Sequence, residues 1–200
     1  LSQLGARPPG DGSAIRIEDA SESRVDFVLD LQAMNWSDSA QRMMEEVVEE
    51  FEENSEFQEW NRADLGRFFM RSLYEPWRYY AATGACSRLE TWETERLSSN
   101  SRTFSVTESM LVEGHRQLHY RPDPVSMDQI AWMAEEGEGS LENGDFVSHI
   151  FEIVDVMNNG QPRYALYDET GRLIPAPPDP NTPIGQPGRC MWCHEQHLMT

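Results

Sequence analysis

The spacing of apolar residues divides the chain into a helix-forming first part and a strand-forming last part. From Arg24 to Leu31 (RVDFVLDL), Val25, Phe27, Leu29 and Leu31 alternate with mostly polar neighbours, which predicts a strand. Ala40, Met43, Met44, Val47, Val48 and Phe51 then recur at the i, i+3, i+4 spacing of one helix face, with glutamates opposite. Asp38 and Gln41 are placed as a capping box for that helix. Asn61 is placed to cap a second helix carrying Leu65, Phe68, Phe69 and Leu73, which Pro76 is expected to stop. Ser87 and Glu90 suggest a cap for a third helix containing Leu89, Trp92 and Leu97. Ser126 and Gln129 suggest a short fourth helix through Met133, ending in the glycines of Glu135–Ser140. The stretch 100–122 fits neither period.

The last third alternates differently. Ser148–Met157 (SHIFEIVDVM) is rich in β-branched and aromatic residues, and Asn158-Asn159-Gly160 is a turn signal. Arg163–Tyr167 forms a second strand pattern, Glu169-Thr170-Gly171 a second turn, and Leu173-Ile174 a third strand. The expected fold is therefore α+β: an N-terminal strand, three to four helices, an antiparallel β-meander, and a Pro-rich tail. Residues 1–22, rich in Gly, Pro, Ser and acid, read as an arm or linker, 23–174 as the α+β domain, and 175–200 as a tether with a terminal motif.

Charge changes this picture. The chain has 200 residues, 16 basic and 35 acidic, for a net charge of -19. Such a balance excludes a nucleic-acid binder, which needs a basic stripe against phosphates, and an anionic membrane surface. No apolar run is long enough to span a bilayer as a helix. Every basic residue is arginine. Without lysine there is no Walker-A lysine, Schiff base or lysine general base. Nine of the sixteen arginines lie between Arg62 and Arg121, flanked by acidic stretches. Arg67, Arg71 and Arg78 are the candidates there for pairing an anionic cofactor. No nucleophile–base constellation or phosphate loop is visible, which points away from an enzyme.

Candidate chemistry is concentrated at the end of the chain. Residues 175–187 (PAPPDPNTPIGQP) hold six prolines and are built to stay extended. They lead to Cys190-Met191-Trp192-Cys193-His194, a C-x-x-C-H motif. Two thiols three residues apart reach both vinyl groups of one porphyrin, and the adjacent imidazole is placed under the iron. Random placement of three Cys and five His gives the motif roughly once in a thousand such chains. Three other readings use the same residues. Cys190, Cys193, His194 and His197 are four candidate zinc ligands, although adjacent Cys193 and His194 close poorly on one small ion. A Cys190–Cys193 disulfide would leave Cys86 odd. A redox-active C-x-x-C normally opens a helix rather than following a proline tether. Cys86 itself reads as a small buried apolar residue.

Over Cys190–His194 the chain resembles the c-type cytochromes. That resemblance implies one covalent haem c, with thioethers at Cys190 and Cys193 and His194 as proximal iron ligand. Only Glu195–Thr200 follow, and His197 and Met199 lie on the proximal side, so a sixth ligand must come from upstream. The candidates are His115, His119, His149 and Met157; His115 and His119 would share a face if 110–120 were helical. Trp192 is placed to cover the haem edge. A C-terminal motif is similar to that of cytochromes c-prime, whose all-helical fold the Asn158–Gly160 meander contradicts. It is also similar, weakly, to that of the β-rich cytochromes c-prime-beta. Their hydroxylamine-oxidising relatives cross-link the porphyrin through lysine, which this chain lacks.

The resemblance implies an electron-relaying mono-haem protein, with its haem buried against redox partner proteins in a multi-subunit complex. The alternatives are a gas-binding or sensing haem protein with an open sixth position, and a non-haem interaction module whose tail binds zinc. Haem attachment at such motifs implies a periplasmic or extracellular location, and a start without Met or leader is expected of a trimmed, exported product.

Overall fold

The structure is a computed structural model, which describes residues 15–20, 25–29, 38–53, 75–97, 100–106, 116–126 and 129–176. Its main body is α+β. Six strands, β3 (Arg102–Val106), β4 (Arg116–Tyr120), β5 (Ala131–Glu138), β6 (Val147–Val156), β7 (Pro162–Asp168) and β8 (Leu173–Ile174), form one sheet in sequential order. Every neighbouring pair is antiparallel. Two further strands, β1 (Ile15–Ala20) and β2 (Val25–Leu29), pair antiparallel with each other. Strand β1 thus lies in the segment whose composition suggests a linker.

Among the described residues, three helices accompany the sheet: α1 (Asp38–Glu52), α2 (Pro76–Thr83) and α3 (Leu89–Arg96). The first follows its predicted apolar stripe, with Ala40, Met43 and Met44 buried and Arg42, Glu45 and Glu46 exposed. Helix α2 was not expected: Pro76 opens it, at the first helical position where its missing N–H is not needed. Gly84 closes α2 in the left-handed conformation, φ 65°, its N–H donating to the Tyr80 carbonyl. Helix α3 starts one residue later than expected. Arg88, not Ser87, occupies the cap position, and no side chain caps it. Instead the Leu89 N–H donates to the Gly171 carbonyl at 3.0 Å, so the β7–β8 turn satisfies the helix end. The helix expected from Asn61 to Leu73 lies outside the described residues.

The fourth expected helix is not formed. Ala131–Glu138 is a strand, and Met133 points from it into the core. The Gln129 side chain does reach back, accepting from the Val125 N–H at 3.1 Å, but the segment closes only one tight turn. Likewise 116–120 is a strand, so a helical face shared by His115 and His119 does not exist.

The meander follows its turn signals. Gly160 and Gly171 adopt positive φ between β6, β7 and β8. Register then sets two sheet faces. Met133, Ile153 and Ala165 align across β5, β6 and β7, and beside them Ala131, Asp155 and Arg163. This face packs on Tyr79, Tyr80 and Trp92 of the helices in one core. Each fully buried large side chain there contributes about 1.5–3 kcal/mol. Trp132, Val154 and Tyr164, with Ala134, Glu152 and Leu166, align on the opposite face. A bulge between Glu136 and Gly137 shifts the register at the far end of β5.

Candidate functional site

The predicted site residues fall into two groups. Cys190, Cys193, His194, Trp192, His197, Met199, His115, Arg67 and Arg71 lie outside the described residues. His119, His149, Met157 and Arg78 lie within them, and the structure does not bring these four together around one point. Met157 ends β6 with its side chain in the core, 7 % exposed. His149 is half-exposed, its Nδ1 3.8 Å from Glu169 Oε2. Arg78 on α2 is held by two carboxylates, Glu50 of α1 and, at 2.7 Å, Glu75. Cys86 is partly buried against the core, as a small apolar residue would be, and its Sγ lies 3.8 Å from Glu95 Oε2. Burial first, and then Glu95, push its thiol pKa up, away from thiolate chemistry.

His119 stands in an open cleft of about 500 Å³ between α3 and the β3–β5 end of the sheet. Glu93, Leu97, Met133 and Glu135 line it with His119. Cross-strand pairing sets Thr103 opposite His119, and His119 opposite Met133. The Thr103 hydroxyl and His119 Nδ1 are 2.9 Å apart. Nε2 lies 2.7 Å from Glu135 Oε1, near enough for an ion pair but off the line of a hydrogen bond. Ser148 donates to the other Glu135 oxygen at 2.5 Å. Contact with His119, aided by Ser148, holds the Glu135 carboxyl below its ordinary range despite burial. Glu93 moves the opposite way, raised by burial and by Glu135. The cleft therefore holds one carboxylate that stays charged, one that gains a proton readily, and an imidazole between them.

Two more ionic clusters organise the sheet. On the face opposite Met133 and Ile153, Arg116 is paired with Glu136 and lies 3.6 Å from Glu152. Burial pushes Glu152 up to about 7, with Arg116 only partly offsetting it. On the helix face, Asp155 accepts from Trp92 Nε1 at 2.7 Å and from Arg163 Nε and Nη2 at 2.8 and 2.5 Å. Arg163 Nη1 also donates to the carbonyls of Thr83 and Gly84, tying the end of α2 to β7. Burial alone would lower the Arg163 pKa, but the Asp155 hydrogen bonds outweigh it and hold it up.

The cleft was not legible before the fold. Glu93, His119 and Glu135 come from a helix and two strands, and each looks like a surface charge in the sequence. The one available signal was the offset of Met133 and Glu135 from Trp132, Ala134 and Glu136 along β5, which sorts them onto opposite faces.

Among the described residues, no group of three or more His, Cys, Asp or Glu side chains is arranged to hold a metal ion. No helix there is long and apolar enough to cross a membrane. No protein family, no curated protein and no solved structure matches the chain.

Proposed function

We propose that the chain carries one covalent haem c at Cys190-Met191-Trp192-Cys193-His194 and relays single electrons outside the cytoplasm, as a subunit of a larger redox complex. The observation that carries this reading is the motif itself: two thiols and an imidazole in the order and spacing that one porphyrin needs. The donor set fits a haem better than a zinc ion, because Cys193 and His194 are adjacent. When bound, the haem supplies the one-electron chemistry. Cys190 and Cys193 anchor it and His194 holds the iron on one side. The net charge of -19 steers basic partners toward the protein and repels acidic ones. A location outside the cytoplasm follows from the chemistry of attachment, and two unattached vicinal thiols there would oxidise.

A second reading, gas binding at an open sixth position, is favoured by one observation. Of the described candidate ligands, His119 has Thr103 and Glu135 against its two ring nitrogens, and Met157 is buried. His149, the remaining described candidate, has Glu169 3.8 Å from its Nδ1. An optical spectrum of the holo-protein separates the two. A low-spin six-coordinate signature supports electron relay, and a high-spin five-coordinate signature supports gas binding.

A further inference from the structure

The sheet face opposite Met133 and Ile153 carries an exposed aromatic shelf at its β3 end. Arg102 pairs with Tyr120 across β3 and β4, and Tyr120 with Trp132 across β4 and β5, so the three share one row. Phe104, on the same face of β3, stacks on the Tyr120 ring at 5.2 Å with 7° between planes. Phe104 is 56 % and Trp132 39 % exposed, whereas Leu166, further across the same face, is 2 % exposed. A single exposed aromatic is ordinary, but three contiguous rings beside a cation form a surface suited to a flat, anionic, aromatic ligand. Arg102 is exposed and makes no ion pair among the described residues. Arg116, next on that face, is already held by Glu136 and Glu152.

We propose that this shelf, Phe104, Tyr120 and Trp132 with Arg102, seats the haem carried by the chain's own C-terminal segment. The inference rests on the haem reading above. Reach supports it. The described chain ends at Ala176, just beyond β8, the edge strand opposite β3. The 14 residues from there to Cys190 are rich in proline. Extended at ~3.1 Å per residue they span about 43 Å. Five strand spacings of ~4.8 Å separate β8 from β3, about 24 Å. The tether is therefore long enough to lay the motif across the whole sheet. Charge supports it too: a haem propionate needs a cation, and Arg102 is placed beside the rings with no acidic partner among the described residues. Seated there, the porphyrin would lay the face opposite His194 on the aromatic rings and leave an edge for a partner.

The test uses the haem-loaded full chain and its haem-free Cys190→Ser/Cys193→Ser variant, with the adduct checked by denaturing mass spectrometry. The Trp132 indole N–H signal is identified by its loss in Trp132→Phe. Ring current from a seated porphyrin moves that signal by several line widths between the haem-free and ferrous haem-loaded forms. In addition, Phe104→Ser, on an exposed edge position, reduces the Soret circular dichroism while the adduct mass is unchanged. An adduct with the Trp132 signal unmoved overturns the seat and leaves the haem reading standing. No adduct at all overturns both.

Discussion

Asp155 and Arg163 face each other across β6 and β7 and are joined by two hydrogen bonds, of 2.8 and 2.5 Å, with Asp155 fully buried. The Trp92 indole also donates to the carboxylate, Arg96 of α3 lies 3.6 Å from it, and Arg163 passes on to the end of α2. One ion pair thus joins the sheet, α2 and α3. Removing Arg163 leaves buried Asp155 with the Trp92 donor and only the longer contact to Arg96, at 3.6 Å, which costs about 3 kcal/mol. Arg163→Met is expected to lower the thermal midpoint sharply. Trp92→Phe, which removes one donor, is expected to cost less, about 1–3 kcal/mol. Equal losses in the two variants, measured by thermal or urea unfolding, would contradict this arrangement.

Glu152 gives the sheet an unusual pH response. Its folded pKa, pushed up to about 7 by burial, lies above the ordinary 4.5. The folded state therefore binds the proton more tightly than the unfolded state. Stability from this group is fully present below pH ~4.5 and is lost as pH rises to about 7. The difference is on the order of 3 kcal/mol at most. Glu152→Gln is expected to raise stability at pH 8 and to flatten the loss between those limits. Parallel stability curves for the two proteins across that range would refute the assignment.

The His119–Glu135 contact works in the other direction. The Glu135 carboxyl is held below its ordinary 4.5, so its contribution is present above that pH and disappears as pH falls through the lower folded value. His119→Ala removes the first cause of the shift. The carboxyl resonance of Glu135, followed by NMR titration, is expected to move up toward the ordinary range, with a stability loss of about 1 kcal/mol or less. A titration midpoint that stays where it was would assign the shift to Ser148 instead.

Gly137 sits at the β5–β6 bulge because no side chain fits there. A Cβ at this position would lie 1.9 Å from the Val147 carbonyl oxygen, which is backbone and has no freedom to yield. Gly137→Ala is expected to destabilise the chain by roughly 3 kcal/mol, as forced shifts in a sheet do. Gly160→Ala is a useful comparison, since nothing crowds that site and only its φ of 84° opposes the substitution. Equal losses at the two positions in urea unfolding would remove the steric argument.

How legible the fold was in the sequence depends on which forces were local. The β6–β8 meander was readable because glycine turns and β-branched runs are local signals, and α1 because Ala40, Met43 and Met44 mark one face. Helix α2 was missed because a proline reads as a stop for what precedes it, although its fixed φ also suits the first turn of the helix that follows. Ser126 and Gln129 misled because a capping motif can close a single turn; Met133 and Ile153 then gain more by pairing across strands than a short acidic helix offers. Strands β3 and β4 were hidden because β3 is almost wholly exposed and β4 only partly buried, so neither shows a clean apolar alternation. The His119 cleft was hidden for a stronger reason: its carboxylates are brought together only by strand register and helix docking, which no local pattern encodes.

A covalent haem at Cys190–His194 survives unfolding, so mass spectrometry under denaturing conditions reads it out. The chain is to be made in a host that attaches c-type haem, exported, unfolded and weighed. The account predicts a mass larger than the 200-residue chain by one haem, surviving unfolding and absent from Cys190→Ser/Cys193→Ser. A chain that weighs only its amino acids, with or without a Cys190–Cys193 disulfide, contradicts it.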